Sequence, residues 1–153
     1  MPVPSMVNPE DPLGWHELRV QDGLGKRRAR RVDVWREGPE TGGALTIDIG
    51  FQDSGTSPEG DDRIAIHEYI VKARARGDPM VLTELSADPR ILPFPECPGA
   101  PAHAQRMVGT RISDMRASVL DTLPGVLGCT HLNDVLRSLA ETPILAAHLA
   151  ARA

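Results

Sequence analysis

Residues 44–53, ALTIDIGFQD, place Leu45, Ile47, Ile49 and Phe51 at every second position, the period of a strand that buries one face. What most constrains the chain is that this strand has neighbours it can reach only through short connections. Upstream, RRVDVWREG sets Val32, Val34 and Trp35 around the polar Asp33 and predicts a first strand, with Gly-Pro and Gly-Gly pairs at 38–39 and 42–43 supplying the turn. Downstream, the polar loop SGTSPEGDD (54–62) leads into RIAIHEYIVKARARG. There Ile64, Ile66, Glu68, Ile70 and Lys72 share one face, while Ala65, His67, Tyr69, Val71 and Ala73 share the other. A helix is the alternative, but the β-branched content favours a third strand. Asp78-Pro79 then turns the chain into MVLTELSAD (80–88), with Met80, Leu82 and Glu84 opposed to Val81, Thr83 and Leu85. No connection is long enough for a crossover helix, so the four strands are expected to form a largely antiparallel meander.

Beyond the proline-rich joint ILPFPECPGAP (91–101) the apolar period changes to that of a helix. Ile112, Met115, Val119 and Leu120 fit it, as do Leu132, Val135, Leu136 and Leu139. Strands first and helices afterwards predict an α+β fold, a four-stranded sheet with C-terminal helices packed on one face. The 153 residues suit one domain. We expect it to span 28–153, behind an extended arm over 1–27 that is rich in Pro and Gly and docks through Trp15 and Leu18. Aromatics make up only 3% of the chain, so the core must be aliphatic.

A net charge of −4 argues against a nucleic-acid-binding domain, whose affinity would need a basic face. The local exception is GKRRARR (25–31), where five cations stand in seven residues. It is either a solvated strand edge or a contact for phosphates, a carboxylate or an acidic partner. No apolar run is long enough for a membrane span, and MPVPSMVNPEDPLG lacks the character of a secretory signal, so a cytoplasmic protein is expected. In a reducing compartment two cysteines point to metal binding or thiol chemistry more than to a bridge, with an inert buried pair as the alternative.

One cysteine and one histidine fall together in VLGCTHLNDVLRSLAE (126–141). Thr130 reads as the N-cap of a helix, whose unpaired N–H groups and dipole favour a thiolate at Cys129 and a metal-ligating imidazole at His131. Cys97 stands in the rigid proline-rich joint. His67 and Glu68 point to opposite faces of the third strand, so only one of them can face the helices. Four donors from Cys97, Cys129, His67, His131, Glu68 and Asp134 would complete a tetrahedral zinc site or part of an iron–sulfur site. His16, His103 and His148 are weaker candidates by position, and Asn133 and Asp134 also suit simple first-turn roles.

The combination FQDS, DDRIAIHEY, LPFPECPGAPAHAQRMVGTRISDMR and GCTHLNDVLRSLAE resembles a bacterial family of domains of unknown function marked by the segment GCTHL. That resemblance runs from about Arg31 onward and implies no activity. A more distant one is to NifU-type iron–sulfur cluster scaffold proteins, through Cys97 with PGAPAHA, MVGTRISD (107–114), and Cys129 with THLNDVLRSLA. It implies Cys97 and Cys129 as cluster or zinc ligands, with His67 near the position of the scaffold's first cysteine. The chain lacks that cysteine, and His131 follows Cys129 where the scaffold's histidine precedes its last cysteine.

Three functions follow as expectations. The first is a small Zn or Fe protein using Cys97, Cys129 and His67, closed by His131 or Glu68, with an open position for hydrolase or lyase chemistry and Glu68 or Asp134 handling protons. The second is a metal-free enzyme for esters or thioesters, with Cys129 as nucleophile and His67 as the better-placed base. The third is a non-catalytic accessory subunit, its basic edge and ILAAHLAARA helix serving a protein partner or a second copy. GLGKR lacks the spacing of a phosphate-binding loop, so nucleotide use is not indicated.

Overall fold

The computed structural model describes residues 23–37, 43–57, 59–60, 62–95 and 97–150. The expected docking arm, with Trp15, His16 and Leu18, lies outside them, as do the predicted turn residues 38–42. Four strands, β1 (Lys26–Arg36), β2 (Leu45–Thr56), β3 (Arg63–Arg76) and β4 (Val81–Ile91), form one antiparallel sheet in the order β1-β2-β3-β4. The helices α1 (Ala100–Ala104), α2 (Met115–Thr122), α3 (Thr130–Ser138) and α4 (Thr142–Ala150) follow. This is the α+β arrangement that the order of periods predicts. No described helix is long and apolar enough to cross a membrane.

The core lies between one sheet face and the helices. Leu45, Ile47, Ile49 and Phe51 of β2 meet Tyr69, Val71, Ala73 and Ala75 of β3, and above them pack Met107, Ile112, Met115, Val119, Leu132, Val135, Leu136 and Leu139. Helix α1 lies over β4, α3 over β3 and α4 over β1. Leu120 departs from the expected helical stripe, at 54% exposed, because its neighbour Val119 takes the core-facing position of α2.

The strands begin and end beyond the sequence expectation, and three register shifts interrupt their ladders, one of them leaving Arg90 as an extra residue where Glu68 pairs with Ile91 and Tyr69 with Pro89. β1 opens at Lys26, so the basic run belongs to the sheet itself. β4 continues through Pro89 to Ile91, which an edge strand tolerates because no further ladder needs the missing N–H. Within β4, Arg74 pairs with Glu84 and Ala75 with Leu82, leaving Thr83 as an extra residue. Leu82 and Leu85 therefore both face the core, although simple alternation puts them on opposite sides. Between β2 and β3, Asp53 pairs with His67 and Ser54 with Ala65, so Ile66 is the extra residue. This bulge sits beside the candidate site.

Candidate functional site

The turn before α3 explains the segment GCTHLND residue by residue. Gly128 sits where an added Cβ would lie 2.5 Å from the Asn133 amide nitrogen and 2.6 Å from the Leu123 carbonyl oxygen. Cys129, rather than Thr130, is the N-cap residue: its backbone is extended and its carbonyl accepts from the Asn133 N–H at 2.7 Å. No side chain caps the helix, so the Cys129 sulfur is left to face the sheet. Leu132 enters the core, and the Asn133 amide donates to the Leu123 carbonyl at 3.3 Å.

Two imidazoles converge on that sulfur. His67 Nε2, from β3, lies 3.7 Å from Cys129 Sγ, and His131 Nδ1, from the first turn of α3, lies 3.9 Å from it. The two rings stand with centroids 4.0 Å apart. Three ligand atoms from His67, Cys129 and His131 all lie within 4.8 Å of one another, a group that could hold a metal ion. A tetrahedral zinc with a thiolate and imidazoles at ordinary bond lengths separates sulfur from nitrogen by about 3.6 Å. The observed spacings fit that edge to within a few tenths of an ångström.

A second layer of contacts fixes His131. Its Nε2 lies 3.2 Å from Asp53 Oδ2, across the interface between β2 and α3. A carboxylate only accepts, so Nε2 is the donor toward Asp53, and Nδ1 is the ring nitrogen on the sulfur side. Asp53 is in turn gripped by Arg28, with Nε at 2.8 Å from Oδ1 and Nη2 at 2.7 Å from Oδ2. That hydrogen bond holds the Asp53 carboxyl below its usual range, against the opposing effect of burial. Arg28 also covers the ring of Phe51, which meets His131 from below.

His67 is enclosed, at 1% exposed. Burial, and then the neighbouring His131, push its pKa down to about 4, so the ring is neutral at pH 7 as a metal ligand must be. Its Nδ1 is buried and has no hydrogen-bond partner. Tyr69 stacks on His67, and its hydroxyl too is buried. Burial, followed by Cys129 and more weakly Cys97, pushes the Tyr69 hydroxyl pKa up.

The sequence-predicted residues divide cleanly. Cys129, His67 and His131 come together. Cys97 starts the short 3-10 turn before α1 and stands outside this group. Glu68 points away from the helices, where it accepts from Gln52 Nε2 at 2.6 Å. Asp134 faces the arginines of β1, 3.6 Å from Arg28 and 3.8 Å from Arg30. His103 Nδ1 is 3.0 Å from the Leu127 carbonyl, at a structural position. Sequence reasoning missed Asp53 and Arg28. Their signal was the parity of β2, which puts Asp53 on the face of Leu45 through Phe51, with Arg28 opposite it in the β1 register.

The structure thus presents a polar centre between sheet and helix, with two histidines and one thiol at metal-ligand spacing. Neither a curated protein nor a solved structure matches the chain. A family model does match, over residues 26–145, from the first residue of β1 into α4. The chain belongs to that family, described as "Protein of unknown function (DUF2889)".

Proposed function

We propose that this member of the DUF2889 family is a metal-binding protein whose ion is held by His67 Nε2, Cys129 Sγ and His131 Nδ1. The observation that carries the reading is the convergence of two neutral-capable imidazoles on one sulfur at tetrahedral spacing, with one of them oriented by a carboxylate. A thiolate with two imidazoles suits zinc, and iron is the runner-up. Three protein donors leave a coordination position open, so the ion would act as a Lewis acid for a hydrolase or lyase reaction. Asp53 orients His131 and Arg28 holds Asp53.

Elemental analysis of anaerobically purified protein tests this, beside Cys129→Ser, His131→Ala and Cys97→Ser. One zinc or iron per chain, lost in the first two variants and kept in the third, supports the site. Metal retained after Cys129→Ser refutes it.

A second reading has one observation in its favour. Cys129, His131 and Asp53 also stand in series as nucleophile, base and orienting carboxylate. If the protein is metal-free, this thiol chemistry on esters or thioesters becomes the better account, and alkylation of Cys129 would then abolish turnover.

A further inference from the structure

A pocket of about 510 Å³ adjoins the centre, with His131 in its wall. We propose that it binds a small organic carboxylate with an apolar or aromatic body, the carboxylate held by Lys26 beside His131. This rests on the reading of His67, Cys129 and His131 as a functional centre and names the class of molecule brought to it.

Two kinds of lining argue for such a molecule. The cations Lys26, Arg27 and Arg28 line it with a single carboxylate, Asp53. Arg28 and Asp53 satisfy each other in a two-pronged pair, whereas Lys26 forms no salt bridge among the described residues. An anionic group entering the pocket therefore meets an ammonium that no described carboxylate pairs. Ile66, Pro93 and Phe94 line it as well, Phe94 being an aromatic ring 61% exposed. An apolar wall left in water beside a charged group fits an amphipathic ligand, and the volume is that of an ordinary small-molecule site.

The local backbone maintains this shape. The bulge in β3 turns Ile66 out of strict alternation and into the pocket beside Asp53. Gly55, paired with Lys26, has no side chain to fill the space between them: a Cβ there would lie 3.0 Å from Ile66 Cδ1 and 3.6 Å from Lys26 Cγ. The basic run at the start of β1 therefore has a task beyond solubility, since Lys26, Arg27 and Arg28 all line the pocket.

The test is calorimetric titration of the full chain with 2-naphthoate, its neutral analogue 2-naphthamide, and inorganic phosphate. It is run on wild type, Lys26→Gln, Phe94→Ser and Cys129→Ser. Naphthoate should bind wild type about tenfold more tightly than either comparison compound, and Lys26→Gln and Phe94→Ser should each cost about tenfold. Cys129→Ser should keep the preference for naphthoate over naphthamide, because neither Lys26 nor Phe94 depends on the thiol. Equal binding of naphthoate and naphthamide, no naphthoate binding, or indifference to Lys26→Gln overturns the proposal. A metal-free wild type that keeps the Lys26-dependent preference would sink the metal reading alone. A metal-loaded wild type that ignores naphthoate would sink this proposal alone.

Discussion

Gly128 has no room for a methyl group: besides the Asn133 side-chain amide, it would strike the Leu123 backbone carbonyl at 2.6 Å, which cannot swing aside. Gly128→Ala should therefore lower stability by about 1–3 kcal/mol in denaturant melts, while an unchanged midpoint would show that the turn before α3 has slack. Asp53→Asn removes the charge that orients His131 and frees Arg28. Zinc affinity measured by chelator competition should fall by about 10–100-fold, with no change if His131 is held by packing alone. His67 carries a pH prediction for the metal-free protein. Its folded pKa of about 4 lies below the ordinary value of 6.5, so between these values the unfolded chain binds more protons. Stability is fully present above pH 6.5 and is lost as pH falls toward 4, by up to about 3 kcal/mol. Urea melts at pH 7 and pH 5 check it, and His67→Gln should remove most of the slope. At this scale the sequence was legible for Cys129, His67 and His131, because chemistry-bearing residues are few here. It was not for Cys97, Glu68 and Asp134, because whether a donor reaches a common point depends on backbone placement that residue type does not encode.

The elements were easier to foresee than their edges. Strict alternation in residues 44–53 and the β-branched Ile64, Ile66, Ile70 and Val71 gave β2 and β3 their faces, and His67 was expected on the face of Tyr69 and Val71, where it lies. The bulges at Ile66 and Thr83 were hidden, since an extra residue in a ladder leaves no mark on composition. The Thr130 cap was a reasonable expectation that failed because Cys129 adopts the extended cap backbone and directs its sulfur elsewhere. Helix α3 joins these elements energetically. Leu132 is buried in its first turn beside His131, so Leu132→Ala should cost about 2–5 kcal/mol. The Asp134 pairs to Arg28 and Arg30 are half-exposed, and Asp134→Ala should change stability by less than about 1 kcal/mol. A loss comparable to that of Leu132→Ala would make Asp134 more than a surface partner.

For the whole molecule, the centre is a junction. Asp53 comes from β2, His67 from β3, and Cys129 and His131 from the entry to α3, so an ion there would tie the sheet to the helical layer. Binding only to the folded chain stabilises it, by about 4 kcal/mol at a thousandfold excess over the dissociation constant. Thermal unfolding should accordingly shift upward on zinc addition in wild type and stay fixed in Cys129→Ser. The most direct measurement is X-ray absorption at the zinc edge of the zinc-loaded full chain. It should show one sulfur at about 2.3 Å and two imidazole nitrogens at about 2.0 Å. A coordination shell without sulfur, or one with two sulfurs drawing in Cys97, would contradict the site as assigned.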